Sequence, residues 1–500
     1  MTANVELAPD QRLAKGSLSI VDAVAISVSV LAPGMAMLLN VSGVAVAAGG
    51  STPFAFLLGG AACLALAFVV VGFTRRMASA GYAYTYASRS LGKTTGFMAG
   101  WLYAFGLLCF VPMTMAGVAY LLCDLLGISQ SWWFPFFCVG MVLLVVLSVV
   151  RVKVTTRVQL IVAAITVLLI VIVDIAVTAK GGSSGNTLAP FTFSHTLKGG
   201  FSGVFYGIIL GITSYIGFET AADFGEETAN PRRAIPIAII VSVLFAIGLY
   251  VWTTYSLTIG FGVHHGAALA ADPSALKTIA RQFVGGWLGT LVEIGGMLSA
   301  FFVCVGCAIA STRTMYSMGR EGALPGFLGR THPRFRTPVN ASLVVAGVAT
   351  VLAAFVGFGF GQVALGGEPI TVYYFFATLG TLAIIVVYVG LCVGGAAFFK
   401  RTARRWNPLT HLLVPAVGAV LFCAALYGSI YPAPPYPLNA TPYITAIWIV
   451  LGLIAVFALK RRRPDAIDRI GSILGEEGGD DAAGLGAVET PAPHSPQVRR

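Results

Sequence analysis

Charge is scarce in this chain. Asp, Glu, Lys and Arg make up only 10% of its 500 residues, against 57% hydrophobic, and the mean hydropathy is +0.86. That excludes a soluble enzyme of ordinary surface chemistry. Also missing are the patterns of embedded catalysis: there is no H-E-x-x-H, no G-x-S-x-G and no cluster of histidines. Cys304 and Cys307 form a C-x-x-C within an apolar run, with no second pair and no nearby His. All eight cysteines fall in or at the ends of apolar runs, where they read as small packing residues. His264 and His265 have no companion ligands, so no metal and no cofactor is expected. A cleavable signal is not visible either: residues 1–16 are polar and the first apolar run exceeds a signal core. The polar stretch 464–500 is too short for a folded sensor domain.

What the chain has instead is apolar runs long enough to cross a membrane. Twelve spans are expected, at roughly 18–46, 54–74, 96–123, 132–150, 155–178, 200–226, 235–260, 285–313, 340–360, 371–398, 410–431 and 442–459. With the amino terminus inside, 27 of the 31 Lys and Arg residues fall on the cytoplasmic side. Only Lys180, Lys198, Lys277 and Arg281 fall opposite. The formal charge of +11 is therefore a topology signal placing both termini in the cytoplasm, and not a nucleic-acid footprint. Residues 1–16 read as a cytoplasmic tail, 17–460 as the transmembrane domain, and 461–500 (rich in Gly, Pro, Ala and acids) as a disordered cytoplasmic tail.

Two spans are interrupted. Span 1 is expected to start near Ser17, whose hydroxyl can cap it, and to pass Asp22, a solvated or gate-paired acid near the inner boundary. It then meets Ala32-Pro33-Gly34. Proline removes an N–H and clashes with the preceding turn, so carbonyls near Ser29 and Val30 lose helical partners. Span 6 carries Gly217 near its middle, then Glu219, Asp223, Glu226 and Glu227 at offsets that put four carboxylates on one α-helical face. Asn-Pro-Arg-Arg at 230–233 stops it. Spans 1 and 6 are five apart and run in opposite directions. Two inverted five-helix repeats (about 17–178 and 200–398) with two added helices (about 410–459) have that arrangement. Elsewhere, the segment after span 2 reads as interfacial. Asp174 lies near the outer end of span 5 and Glu293 about two turns below the outer end of span 8. Tyr373, Tyr374 and Tyr388 read as packing or interface residues.

Several stretches resemble the amino acid–polyamine–organocation (APC) superfamily of permeases over most of residues 17–460. They are Tyr-Ile-Gly-Phe-Glu at 215–219, Glu-Glu-Thr-Ala-Asn-Pro-Arg-Arg-Ala-Ile-Pro at 226–236, and Met-Gly-Arg-Glu-Gly-Ala-Leu-Pro at 318–325 with Thr-Pro-Val at 337–339. The resemblance implies secondary transport by alternating access, with substrate between helices 1 and 6. Helix polarity agrees. The second half of helix 1 begins at mid-membrane with the amides of Gly34, Met35 and Ala36 unsatisfied, which suits a carboxylate. The first half of helix 6 ends there with free carbonyls around Thr213, Ser214 and Ile216, which suits an ammonium. Similar permeases use the backbone at the latter positions. They often have an aromatic gate at the position of Thr213, which this chain lacks, and Pro33 leaves one amide fewer than in many relatives. Proton-coupled relatives often carry a lysine thirteen residues after the one matching Lys153. Here that position is Thr166, which cannot carry charge but can help bind sodium.

The candidate substrate site is thus Ala32, Pro33, Gly34, Met35, Ala36, Thr213, Ser214, Ile216, Gly217 and Glu219, with Glu219, Asp223, Thr166 and Glu293 as candidates for coupling or gating. Glu219 is the preferred proton-responsive group, because burial disfavours a carboxylate's charged form; the competing reading is a fixed acid at the start of the second half-helix. Glu226 and Glu227 with Arg232 and Arg233 read as an ion-pair cluster at the inner boundary. The expected function is an amino acid permease of the cytoplasmic membrane, with H+ or Na+ as coupling ion or with exchange. The alternative is a polyamine or other organic-cation importer, which would be favoured if the acids at 219, 223 and 293 lined one cavity.

Overall fold

In hydrocarbon the backbone has no solvent partner, so each apolar run must close its own hydrogen bonds as helix. The computed structural model describes residues 19–76, 82–150, 156–224, 228, 230–320, 324–332, 337–360, 367–402 and 406–462. Among these there are helices and no strand. From the amino end come α1 (Ile20–Val30), α2 (Pro33–Met35), a π-helical stretch Ala36–Asn40, α3 (Val41–Ala48), α4 (Thr52–Thr74), α5 (Tyr82–Leu91), α6 (Lys93–Leu126), α7 (Trp133–Val150), α8 (Thr156–Lys180) and α9 (Gly200–Tyr215). After a 3-10 segment, Phe218–Phe224, follow α10 (Pro231–Phe261), α11 (Gly266–Ala271), α12 (Ala275–Phe283), α13 (Gly286–Arg320), α14 (Val339–Gly359), α15 (Glu368–Thr402), α16 (Val414–Gly428) and α17 (Thr441–Arg462).

Eleven described stretches are long and apolar enough to cross a membrane. The chain is an all-α, multi-pass membrane protein. The first stretch, Ile20–Thr74, is interrupted by a turn at Gly49–Ser51, where Gly49 has φ +53° and Gly50 donates its amide to His195 O at 2.9 Å. Helix α1 is capped by Ser19 rather than Ser17: Ser19 Oγ accepts the Asp22 amide at 3.2 Å while Asp22 Oδ2 accepts the Ser19 amide at 2.9 Å. Asp22 thus completes a capping box. Ser17 and the two tails fall outside the described residues, apart from Arg461 and Arg462, which end α17.

Helices α6 and α15 form the middle of the bundle, with α4, α9 and α13 packed around them. Small residues allow the close approaches. A Cβ on Gly106 would come within 2.6 Å of Ile384, and one on Gly380 within 2.8 Å of Phe110. The segment after span 2 that reads as interfacial contains the helix α5, packed on α6 and α15, with residues 77–81 outside the described residues.

Candidate functional site

Helix α1 ends because Ala32 leaves the right-handed path, at φ 46° and ψ 60°. That conformation costs a residue with a Cβ about 1–2 kcal/mol. Pro33 then restarts the helix at a position where its missing N–H is no loss. Part of the broken backbone is re-paired. The Ala32 amide donates to Ser29 O at 3.2 Å, so the Ser29 carbonyl keeps a partner, contrary to expectation. The Tyr250 hydroxyl donates to Leu31 O at 3.1 Å, and the Ala36 amide to Ala32 O at 3.0 Å. Of the three amides expected to be free, Ala36 is therefore engaged, because one helical turn already spans Ala32 to Ala36. Gly34 and Met35 have no acceptor among the described residues.

The second break begins earlier than the sequence pattern suggested. Helix α9 stops at Tyr215, Ile216 is extended (φ −60°, ψ 131°), and Gly217 has φ +116°. The chain continues as a 3-10 segment, not as the α-helix expected through residue 226. Over the described part, Glu219 and Asp223 therefore do not have the α-helical spacing that was to put them on one face. The Asp223 side chain, Glu226 and Glu227 lie outside what the structure describes. Gly217 also brings the breaks together: a Cβ there would lie 2.8 Å from Val30 Cγ1.

Glu219 is completely buried. Its Oε1 accepts the Tyr388 hydroxyl at 2.5 Å and the Tyr103 hydroxyl at 3.4 Å, and its Oε2 accepts the Gly217 amide at 3.0 Å. Ser214 Oγ donates to Leu210 O and accepts Asn40 Nδ2 at 2.8 Å, while Asn40 Oδ1 accepts the Tyr373 hydroxyl at 2.8 Å. Tyr374 donates to Leu39 O at 2.6 Å. Thr213 Oγ1 donates to Ile209 O at 3.0 Å and lies 2.7 Å from Thr381 Oγ1. Hydroxyls of α15 thus hold the segment that follows the first break, through Tyr373 and Tyr374, and both sides of the second, through Thr381 and Tyr388.

Between the breaks lies a small cavity of about 70 Å³. Val30, Leu31 and Met35 line it from the first break, and Thr213, Ser214, Ile216, Gly217 and Thr220 from the second. Tyr103, Leu107, Phe110, Met113 and Thr114 of α6 and Val303 and Cys307 of α13 complete it. No acid is among the lining residues. Ala32, Pro33, Gly34, Ala36 and Glu219 stand behind this lining.

Thr166 packs against the back of the first break. A Cβ on Gly34 would come within 2.5 Å of its Cγ2, and its hydroxyl donates to Val162 O at 2.7 Å. Glu293 is not among the residues that line the cavity. Its Oε2 is 2.8 Å from Lys277 Nζ, which is also 2.8 Å from Asp124 Oδ2. Burial pulls the Lys277 ammonium down, but its bonds to Asp124 and Glu293 outweigh this and hold it above the usual lysine value. Sequence reasoning missed Asn40, Thr381, Tyr103 and the α6 and α13 lining. Asn40, polar within an apolar run, carried a readable signal. Leu107, Phe110, Met113 and Val303 carried none, being apolar residues on apolar helices. Tyr373, Tyr374 and Tyr388 are buried packing residues whose hydroxyls serve the breaks.

A helical membrane protein with two broken helices facing one internal cavity has the construction of a transporter. The family model described as amino acid permease matches residues 18–455, and the chain belongs to that family, within the APC superfamily. Among curated relatives, it is 24% identical over 442 residues to the branched-chain amino acid permease BcaP of Bacillus subtilis (strain 168), covering 84% of this chain and 87% of that protein. It is 25% identical to the methylthioribose transporter of the same organism, covering 83% and 88%. It is 27% identical to the low-affinity putrescine importer PlaP of Escherichia coli (strain K12), covering 61% and 67%. The chain is a transporter for small molecules and not an enzyme.

Proposed function

We propose that this chain is a secondary active transporter that carries amino acids with apolar side chains across the cytoplasmic membrane by alternating access. The observation that carries the reading is the cavity between the breaks, lined by Met35 from the first and by Thr213, Ser214 and Ile216 from the second, with no acid in its wall. The amide of Met35 and the positive end of the helix running from Pro33 receive the substrate carboxylate, with Gly34 directly behind them. The carbonyls of Thr213, Ser214 and Ile216 receive the ammonium. The side chain extends against Leu107, Phe110, Met113 and Val303, which suits an aliphatic group.

Topologically we read twelve crossings. A straight helix of 55 residues would run about 80 Å, far beyond a bilayer of about 30 Å, so Ile20–Thr74 counts twice. The crossings form two inverted five-helix repeats plus α16 and α17, with both termini cytoplasmic on the distribution of Lys and Arg. A second reading, an importer of polyamines or other organic cations, draws on the likeness to a putrescine importer. It fits the cavity less well. Glu219 is committed to two tyrosines and Gly217, and Glu293 to Lys277, so neither offers a carboxylate to a diamine. The test is uptake in proteoliposomes with a panel of labelled amino acids and amines under imposed proton or sodium gradients. Stimulation by apolar amino acids supports the proposal, and no stimulation by any substrate or gradient defeats it.

A further inference from the structure

Three carboxylates are almost or wholly buried among the described residues: Glu219, Glu293 and Asp174. Two are provided with partners. Glu219 receives three donors, and Glu293 receives an ammonium on Oε2, although its Oε1 makes no hydrogen bond. Asp174, on α8, is 0% exposed, and its Oδ2 accepts a single hydroxyl, Thr253 Oγ1 of α10, at 2.7 Å. The neighbouring Ser256 lies beside the carboxylate but gives its hydroxyl to Trp252 O at 3.0 Å, and Asp174 Oδ1 makes no hydrogen bond.

Among the described residues, no charge on the elements packed against α8 compensates Asp174. On α10, the Tyr255 hydroxyl receives the Thr187 amide, Tyr250 donates to Leu31 O, and Arg232 and Arg233 stand at the far end of the helix. On α13, Glu293 is spent on Lys277, Cys304 donates to Val111 O, Cys307 lines the cavity, and Arg313 and Tyr316 stand near the far end. On α12, Lys277 is held between Asp124 and Glu293, and Arg281 is exposed. α2 carries no titratable residue, and Asp22 of α1 caps the opposite end of the bundle. On α8 itself, Lys180 donates to Phe283 O.

An ionised carboxylate buried without a counter-charge is strongly unfavourable, and an ionised oxygen with no donor adds to that cost. A carboxyl oxygen that bears hydrogen needs no donor. Resting on the reading of the chain as a secondary transporter, we propose that Asp174 is a proton-binding site of the transport cycle, separate from the substrate cavity. It lies six residues before Lys180, about 9 Å along the helix, so the proton is loaded from the face of the membrane on which Lys180 lies. Water there gives up the proton, the new O–H bond forms on Oδ1, and the proton returns to water on release; no other reactant is involved. A sodium ion fits the place less well, since one carboxylate and one or two hydroxyls fall short of the oxygen shell a hard cation requires.

The test uses the full chain and two variants. Asp174→Asn keeps an oxygen for Thr253 but cannot exchange a proton. Thr253→Val removes the donor and leaves the carboxyl. Both are reconstituted and compared with wild type for uptake of a labelled apolar amino acid driven by an inward proton gradient, for counterflow exchange without a gradient, and for the infrared carbonyl band of a protonated carboxyl during pH titration. The expected result is that Asp174→Asn retains counterflow but loses gradient stimulation and the titrating band, while Thr253→Val retains stimulation with a displaced pH profile. Wild-type stimulation and an intact band in Asp174→Asn would overturn the proposal. So would stimulation of the wild type by sodium alone. Absence of wild-type uptake under every condition would strike the transport reading instead. The infrared band, read without substrate, would still decide whether Asp174 takes up the proton.

Discussion

Glu219 Oε2 accepts the Gly217 amide at 3.0 Å, and that amide is the one that would otherwise close a helical turn onto the Thr213 carbonyl. The acid therefore holds the second break open. It leaves at the cavity wall the carbonyl that the proposed function assigns to the substrate ammonium. Tyr388 and Tyr103 supply the other oxygen, so the carboxylate is satisfied without a cation.

Glu219→Gln separates the two roles of this acid. A hydrogen bond to a charged group contributes about 1.5–3 kcal/mol, so weakening this set should reduce uptake at low substrate by roughly tenfold or more. The fixed-acceptor role predicts lower uptake with an unchanged pH profile. Labelled uptake across a pH series checks it. A changed profile would instead give Glu219 the proton-responsive role.

The apolar wall should set substrate size. Phe110→Ala opens the cavity beside α15, and a change of one or more methylenes in an apolar pocket is worth about 1–3 kcal/mol. The ratio of phenylalanine to alanine uptake should rise by roughly tenfold in the variant. Competition curves for the two substrates measure it, and an unchanged ratio would remove Phe110 from the side-chain pocket.

Lys277→Met should destabilise the protein, because it leaves Glu293 buried and uncompensated. Breaking a buried pair costs about 3–5 kcal/mol, and the partial exposure of Asp124 should place this one lower. Adding Glu293→Gln should restore part of the loss, as read by thermal unfolding in detergent. The sign with pH is fixed. Lys277 has its folded value raised, so its contribution is fully present below the ordinary lysine value and is lost as pH rises through the folded value. Lys277 itself should add no pH dependence to the melting temperature near neutrality, and the difference between wild type and Lys277→Met should shrink in strong alkali.

Ala32→Gly should stabilise the first break. The left-handed conformation costs alanine about 1–2 kcal/mol, while glycine's extra freedom in the unfolded chain returns about 0.5–1 kcal/mol of that. A small rise in melting temperature is expected, and a fall would show that the Ala32 methyl contributes more through packing than its backbone costs.

Much of this was legible in the sequence, for identifiable reasons. Pro33 and Gly217 mark the breaks because each dictates backbone geometry locally. The membrane helices are visible because a bilayer demands long apolar runs. The path of the chain after Gly217 was not legible, since the choice of a 3-10 segment over an α-helix depends on the bond from Gly217 to Glu219 and on two distant tyrosines. The partners of Glu293 were hidden for the same reason: Lys277 and Asp124 reach it from other helices. The cavity wall was hidden because Leu107 or Val303 facing a substrate looks no different in sequence from the same residue facing lipid.

The most direct test of the central claim, a zwitterion held between the two breaks, is competition against labelled leucine uptake in proteoliposomes. The competitors are unlabelled neutral amino acids, leucinamide (which lacks the carboxylate) and putrescine. The account predicts strong competition by apolar amino acids and little by the other two. Equal competition by putrescine or leucinamide would contradict it.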